Sequence, residues 1–156
     1  MTDTNSCELC RHEGGVILHR APLFRVVAVN GSEGDAYPGF CRVIWNTHVR
    51  EMSDLSPLER GLLMDAVFAV ETAIREALQP DKINLASLGN MTPHLHWHVI
   101  PRFRDDPTFP SPIWAQSIVP PPVSPPRGQA YNKNERSRPD WQQAVRMAFV
   151  SMALVG

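Results

Sequence analysis

Apolar positions cluster in short runs before residue 46, recur at three- and four-residue steps through residues 56–78, and then alternate with polar ones near residue 95. The β-branched runs "GVILHR" (15–20), "LFRVVAV" (23–29) and "FCRVIW" (40–45) predict three antiparallel strands. Ala21 and Pro22 suit a tight turn between the first two, and the turn-rich "NGSEGDAYPG" (30–39) separates the second from the third. In "SPLERGLLMDAVFAVETAIREAL", Ser56 is an N-cap, Pro57 a first helical residue and Glu59 the partner of a capping box, while Pro80 stops the helix. Leu62, Leu63, Ala66, Val67, Val70, Ile74 and Leu78 form one stripe that must pack on something apolar, and the sheet is the obvious partner. "KINLASL" (82–88) and "PHLHWHVIPRF" (93–103) supply two more strands, the second long enough to be central, with a proline near each end.

These elements predict an α+β fold: an antiparallel sheet of about five strands, one long helix packed on it, and a C-terminal helix. Residues 1–103 are expected to form the domain core. Residues 104–138 are proline-rich ("VPPPVSPPRGQ") and are expected to be irregular, extended or mobile. The last helix, over 139–156, is expected to dock on the same domain or on a partner protomer. There are no internal repeats. The 156 residues, 43% of them hydrophobic, suit one domain.

A net charge of −1 supplies no broad positive field for long nucleic acid or an anionic membrane, and leaves room for a small anionic ligand in a local pocket. The first fifteen residues lack the apolar core of a secretory signal, and no segment approaches the ~20 apolar residues of a membrane span. The expectation is a soluble, cytoplasmic protein. Of three cysteines, Cys7 and Cys10 are close enough to suggest a metal or redox pair rather than a disulfide framework, although a surface pair with no ligand has the same spacing.

Three of the six histidines, His94, His96 and His98, stand at alternate positions. On a strand they project from one face, while Leu95, Trp97 and Val99 project from the other. Three half-buried rings satisfied by backbone would be the bland explanation, and strict alternation argues against it. Two chemistries suit the pattern. His-x-His can hold a catalytic zinc with an open water position. Alternatively, one neutral imidazole attacks phosphorus while its second nitrogen is fixed by a hydrogen bond.

"HLHWHVI" resembles the His-φ-His-φ-His-φ-φ signature of the histidine-triad (HIT) superfamily, where φ is apolar. The order of "VN", "PG", an apolar strand, "NTH", "DLSPLE" and "GNMTPHLHWHVIPR" is similar too, over about residues 7–103, and most resembles bacterial HIT proteins described as diadenosine-polyphosphate hydrolases. The resemblance implies that His96 is a nucleophile toward the α-phosphorus of a nucleotide, forming a nucleotidyl-histidine that water or another acceptor resolves. It implies that His98 supports the phosphate geometry, that Asn30 holds ribose hydroxyls, and that Asn90 hydrogen-bonds phosphate oxygens. Turn formation is the competing role for both asparagines. Met91 departs from the pattern, since many members carry Ser or Thr there to protonate the leaving group; Thr92 or Asn84 would compensate.

In zinc-bearing relatives, and in the related galactose-1-phosphate uridylyltransferases, a cysteine pair is completed by a histidine before the helix and by the first triad histidine. Here these are Cys7, Cys10, His48 and His94. Two thiolates and two imidazoles make a closed tetrahedral site, hence structural rather than catalytic zinc. The resemblance thus implies hydrolysis or transfer at the α-phosphate of dinucleoside polyphosphates or related nucleotide conjugates, with phosphoramidates also allowed, in a homodimer. A zinc-dependent hydrolase and a nucleotide-binding regulatory module with little turnover are the alternatives. Trp45 and Trp97 are expected in the core, Cys41 packs as a small apolar residue, His12 and His19 read as ordinary surface positions, and Trp114 is a candidate to cover a base or sit at an interface.

Overall fold

The computed structural model of the chain describes Thr4, residues 6–116 and residues 140–153. In chain order the elements are α1 (Glu8–Arg11), β1 (Val16–Arg20), β2 (Phe24–Ala28), α2 (Gly31–Ala36), β3 (Cys41–Trp45), a 3-10 turn (Met52–Asp54), α3 (Pro57–Leu78), β4 (Lys82–Ala86), β5 (His96–Arg102) and α4 (Trp141–Ala153). The five strands form one antiparallel sheet in the order β1-β2-β3-β5-β4. The chain steps from β3 to β4 through α3, and β5 returns between them, so the histidine strand is an inner one.

Register divides the sheet into two chemically different faces. Val26 and Ala28 on β2, Val43 and Trp45 on β3, and Val99 on β5 share one buried cluster with Leu63, Val67, Val70, Ile74 and Leu78 of α3. Helix α3 begins as its sequence predicts: Ser56 Oγ accepts from the Glu59 amide at 3.3 Å and the Glu59 carboxylate accepts from the Ser56 amide at 2.8 Å. The expected stripe departs at two residues. Leu62 is 41% exposed, and Ala73, which the pattern omitted, is buried.

Helix α4 docks on α3 and β1 of the same chain. Asp140 Oδ1 accepts from the amides of Gln142 and Gln143 and so caps it. The β1–β2 register slips between Ile17 and His19, a bulge at Leu18. The Leu18 carbonyl accepts from Arg146 of α4 at 3.3 Å, and His19 stacks on Phe149 with ring centroids 4.3 Å apart. His19 is thus part of the α4 contact, not the plain surface residue expected. Burial lowers its pKa.

The opposite face is covered by short irregular pieces. Cys7 and Leu9 pack on Val27 and Ile44, and Arg25 is buried beneath them, donating to the carbonyls of Leu9 (2.6 Å), Glu13 (3.1 Å) and His12 (3.3 Å) and to Asn46 Oδ1 (3.2 Å). Residues 30–39, expected as a turn-rich connection, contain α2. Gly39, with φ +90°, enters β3 where any Cβ would strike Leu78 and Pro101. Residues 104–116 form turns rather than the extended or mobile segment the composition suggests, while "VPPPVSPPRGQ" lies outside the described residues.

Arg102, at the end of β5, pins these turns. Its Nε and Nη2 meet the two oxygens of Asp106 at 2.7 and 2.9 Å, Nη2 reaches the Ser111 carbonyl at 2.8 Å, and Nη1 donates to Asn84 Oδ1 at 2.9 Å. Tyr37 bonds Thr108 and the Ile113 carbonyl, so α2 holds the same turns. Burial pushes the Asp106 pKa up, but hydrogen bonds from Arg102 and the amides of Thr108 and Phe103 outweigh it and leave the pKa lowered. Removing one partner of a buried ion pair strands the other charge. Asp106→Asn is therefore expected to cost roughly 3–5 kcal/mol at neutral pH in urea titration. Because the folded carboxyl has the lower pKa, its contribution is full above the ordinary carboxylate pKa of ~3.9 and is lost as pH falls through the folded value. The gap between wild type and variant should close on acidification below pH ~4. A gap that stays constant to lower pH excludes this role for the pair.

Candidate functional site

The three histidines do not share one environment. Strand β5 begins at His96 rather than Pro93, so His94 stands in the bend just before it, held by its amide to the Thr92 carbonyl at 2.8 Å. Its ring is fully buried. His94 Nε2 donates to the Trp45 carbonyl at 2.6 Å, which leaves the Nδ1 lone pair facing Cys7 Sγ at 3.4 Å and Cys10 Sγ at 3.5 Å. His48, from the loop after β3, presents Nδ1 to Cys10 Sγ at 3.3 Å. The four ligand atoms lie within 4.8 Å of one another.

These residues can hold a metal ion. With metal–sulfur and metal–nitrogen bonds of ~2.3 and ~2.0–2.1 Å, a tetrahedral ion spaces sulfur and nitrogen about 3.6 Å apart. The three S···N separations nearly meet that. Burial lowers the His94 pKa, against the hydrogen bond to Trp45, which favours the neutral ring that ligation requires. Cys10 is raised by desolvation and by its neighbour Cys7, while Arg25 opposes the shift. A bound cation would reverse that balance and stabilise the thiolates.

His96 and His98 form a second group, with centroids 4.7 Å apart and planes at 78°. His96 Nδ1 donates to the His94 carbonyl at 2.6 Å. A proton held there leaves Nε2 as an unprotonated lone pair, the arrangement a nucleophilic imidazole needs. Burial also lowers the His96 pKa, against that backbone bond and together with the Arg42 charge. Ser87 Oγ donates to the His96 carbonyl at 2.9 Å and ties the end of β4 to the strand. His98 is lowered to about 3 by burial, then by His96 and Arg42, and its buried Nδ1 has no hydrogen-bond partner.

Both rings line a cavity of about 420 Å³. Its walls include Asn90, Met91 and Thr92 from the β4–β5 connection, Glu8 and Leu9 from α1, Arg42 from β3 and Trp114 from the turns after β5. Gly89 turns that connection with φ +77°, a conformation glycine adopts freely. Met91 is 96% exposed and offers no donor. Trp114 stands edge-on to His98 at 4.9 Å and to Phe40 at 6.4 Å. A larger, shallower groove of about 810 Å³ between α3 and α4 carries none of the histidines.

The fold brings together Cys7, Cys10, His48 and His94 in one cluster, and His96, His98, Asn90 and Thr92 in the cavity. It does not bring Asn84 or Asn30 to the cavity wall. Asn84 is occupied by Arg102, and Asn30 precedes α2 in extended backbone with no side-chain capping bond. Arg42, Glu8 and Leu9 were missed from sequence. The signal for Arg42 was present, a charge inside the apolar run "FCRVIW", but its pairing with His98 depends on register. Glu8 and Leu9 reach the cavity from α1, whose turn is closed by the Cys10 and Arg11 amides on the Cys7 carbonyl, a placement that no local pattern announces.

Residues 25–105 match the HIT domain. The AP-4-A phosphorylase of Mycobacterium tuberculosis is 29% identical over 89 residues, 53% of this chain and 46% of that protein, so the chain spans about half the length of the curated relatives it matches. Among solved structures, the histidine triad protein blr8122 from Bradyrhizobium japonicum superposes with a TM-score of 0.64 at 24% identity, covering 87% of this chain and 91% of that one. A histidine triad protein from Marinobacter aquaeolei VT8 superposes with a TM-score of 0.60 at 29% identity, over 70% and 76% of the two chains. A five-stranded antiparallel sheet, an alternating histidine pair on its inner strand and a family match over more than half the residues lead to one assignment: the chain belongs to the HIT domain family.

Proposed function

We propose that this protein is a nucleotide hydrolase or nucleotidyl transferase acting at the α-phosphate of dinucleoside polyphosphates or related nucleotide conjugates, with His96 as nucleophile. The observation that carries this reading is the hydrogen bond from His96 Nδ1 to the His94 carbonyl, which commits one nitrogen and leaves the other unprotonated on a ring that lines the cavity. In this reading Nε2 attacks the α-phosphorus, the bond to the leaving oxygen or nitrogen breaks, and a nucleotidyl-histidine forms. Water or another acceptor then attacks phosphorus and restores the neutral ring. His98 stabilises charge on phosphoryl oxygens, Asn90 and Thr92 donate to those oxygens from the β4–β5 connection, and preoriented donors of this kind act where charge develops.

Cys7, Cys10, His48 and His94 bind zinc in this proposal. Two thiolates and two imidazoles would supply a full set of four protein ligands, so the ion would be structural and the hydrolytic step is assigned to the His96 side. When bound, it braces α1, and hence Glu8 and Leu9, against the cavity. β4 has no second strand neighbour among the described residues, and the active form is a homodimer in which the partner covers this edge.

Mixing the protein with α-labelled dinucleoside tetraphosphate is expected to leave an acid-labile, base-stable label on wild type and none on His96→Ala, with kcat/KM of the variant lower by roughly 10⁴-fold or more. Label that persists in His96→Ala rules out His96, and tight binding with no product from a broad panel favours a nucleotide-binding module. Purified protein is expected to carry one zinc per chain, and the Cys7→Ser, Cys10→Ser double variant none. Removing zinc from a site saturated 100-fold above its Kd should lower stability by about 2.7 kcal/mol. Activity that vanishes on mild chelation while the fold stays intact would instead indicate catalytic metal.

A further inference from the structure

Arg42 stands inside a strand that is otherwise apolar, and it is the cross-strand partner of His98. Paired residues on one face have Cβ atoms ~4.5–5.5 Å apart, and diagonal neighbours such as His96 lie at ~7–8 Å. The guanidinium lines the same cavity as both rings. It is held in place rather than left to solvent. Nη2 meets Glu33 Oε2 at 3.0 Å, Nη1 donates to the Gly14 carbonyl at 3.3 Å, and the second oxygen of Glu33 accepts from Trp114 Nε1 at 3.0 Å. One carboxylate of α2 therefore aligns both the cation on the cavity floor and the indole at its rim. The Arg42 Nε, buried and without a partner, is a further sign that the side chain is kept at a cost there.

We infer that Arg42 binds the phosphates on the leaving side of the scissile bond, so that this site selects nucleotides whose α-phosphate is joined to further phosphate over conjugates joined through nitrogen. The inference rests on the nucleotidyl-histidine reading above. Arg42 reaches the cavity from β3, the neighbour of β5 on one side, and Asn90 and Thr92 reach it from the connection that leads into β5. A polyphosphate leaving group departs in line, away from Nε2 of His96, and carries its anionic charge within the cavity, where Arg42 is the one arginine or lysine among the described lining residues.

The chemistry of a guanidinium then decides which leaving group is served. As Nε2 of His96 bonds to the α-phosphorus, the P–O bond to the next phosphate breaks, the electron pair stays on the departing oxygen, and no proton is required. Arg42 stabilises that anion in place. An amine departing from phosphorus must gain a proton, and a guanidinium does not release one. Met91 carries no transferable proton and is exposed, and the Thr92 hydroxyl is committed to the phosphoryl oxygens in the reading above.

The test compares wild type, Arg42→Gln and Arg42→Lys on α-labelled dinucleoside tetraphosphate and on a nucleoside phosphoramidate with an alkylamine leaving group. Arg42→Gln is expected to lower kcat/KM for the tetraphosphate by about 10²–10³-fold, the loss typical of one preoriented charge-stabilising donor, and for the phosphoramidate by less than about threefold. Arg42→Lys, a charge without the fork, should recover about tenfold of the tetraphosphate activity. Label on Arg42→Gln from the phosphoramidate shows that the fold and His96 are intact. Equal losses on both substrates, or a wild-type preference for the phosphoramidate, overturn the assignment. No label on wild type from either substrate overturns the nucleotidyl-histidine reading, and this inference with it.

Discussion

Burying imidazoles at the start of an inner strand sets a cost on every unmet ring nitrogen, and the carbonyls that His94 and His96 find organise both sites. His94 spends Nε2 on the Trp45 carbonyl and turns Nδ1 to two thiols. His96 spends Nδ1 on the carbonyl of His94 itself. Each hydrogen bond fixes a tautomer and an orientation at once, so His94 and His96 acquire different chemistry from the carbonyl each one meets. The two sites are thereby joined through a single backbone unit: the residue that faces the cysteines also supplies the carbonyl that holds the nucleophile's ring.

The cover over the histidine face depends on two buried arginines that act alike. Arg25 gathers carbonyls from the α1 region, and Arg102 gathers the turns after β5. Neither covering segment has a sheet or a long helix to satisfy its own backbone. A guanidinium, with five donors in a planar fork, can serve several acceptors from one point. The helix face needs no such device, because α3 satisfies its own backbone and offers only hydrocarbon to the sheet.

What was legible in the sequence follows the same division. The strands, α3 with its cap and the burial of Trp45 are written in local periodicity and in residues a few positions apart, and the structure has them within a few residues of their expected bounds. Helix α2 was not legible, because Gly31, Ser32, Gly34 and Asp35 read as turn formers and the helix offers no apolar stripe. The ordering of residues 104–116 depends on Arg102 meeting Asp106, Ser111 and Asn84, and composition does not report such contacts. Arg42 is a charge inside an apolar run, and only strand register reveals that it faces His98.

The cysteine–histidine cluster draws on residues far apart along the chain, with contacts spanning 84 and 87 residues between the cysteines and His94. Such a cluster cannot close until His94 has been made. At ~5–20 residues per second, synthesis separates Cys10 from His94 by on the order of ten seconds. Through that interval the two thiols can meet His48, but the fourth member of the cluster is missing. The cluster, and with it the α1 wall of the cavity, waits for the segment that also carries His96 and His98, so the two groups of histidines come into place together.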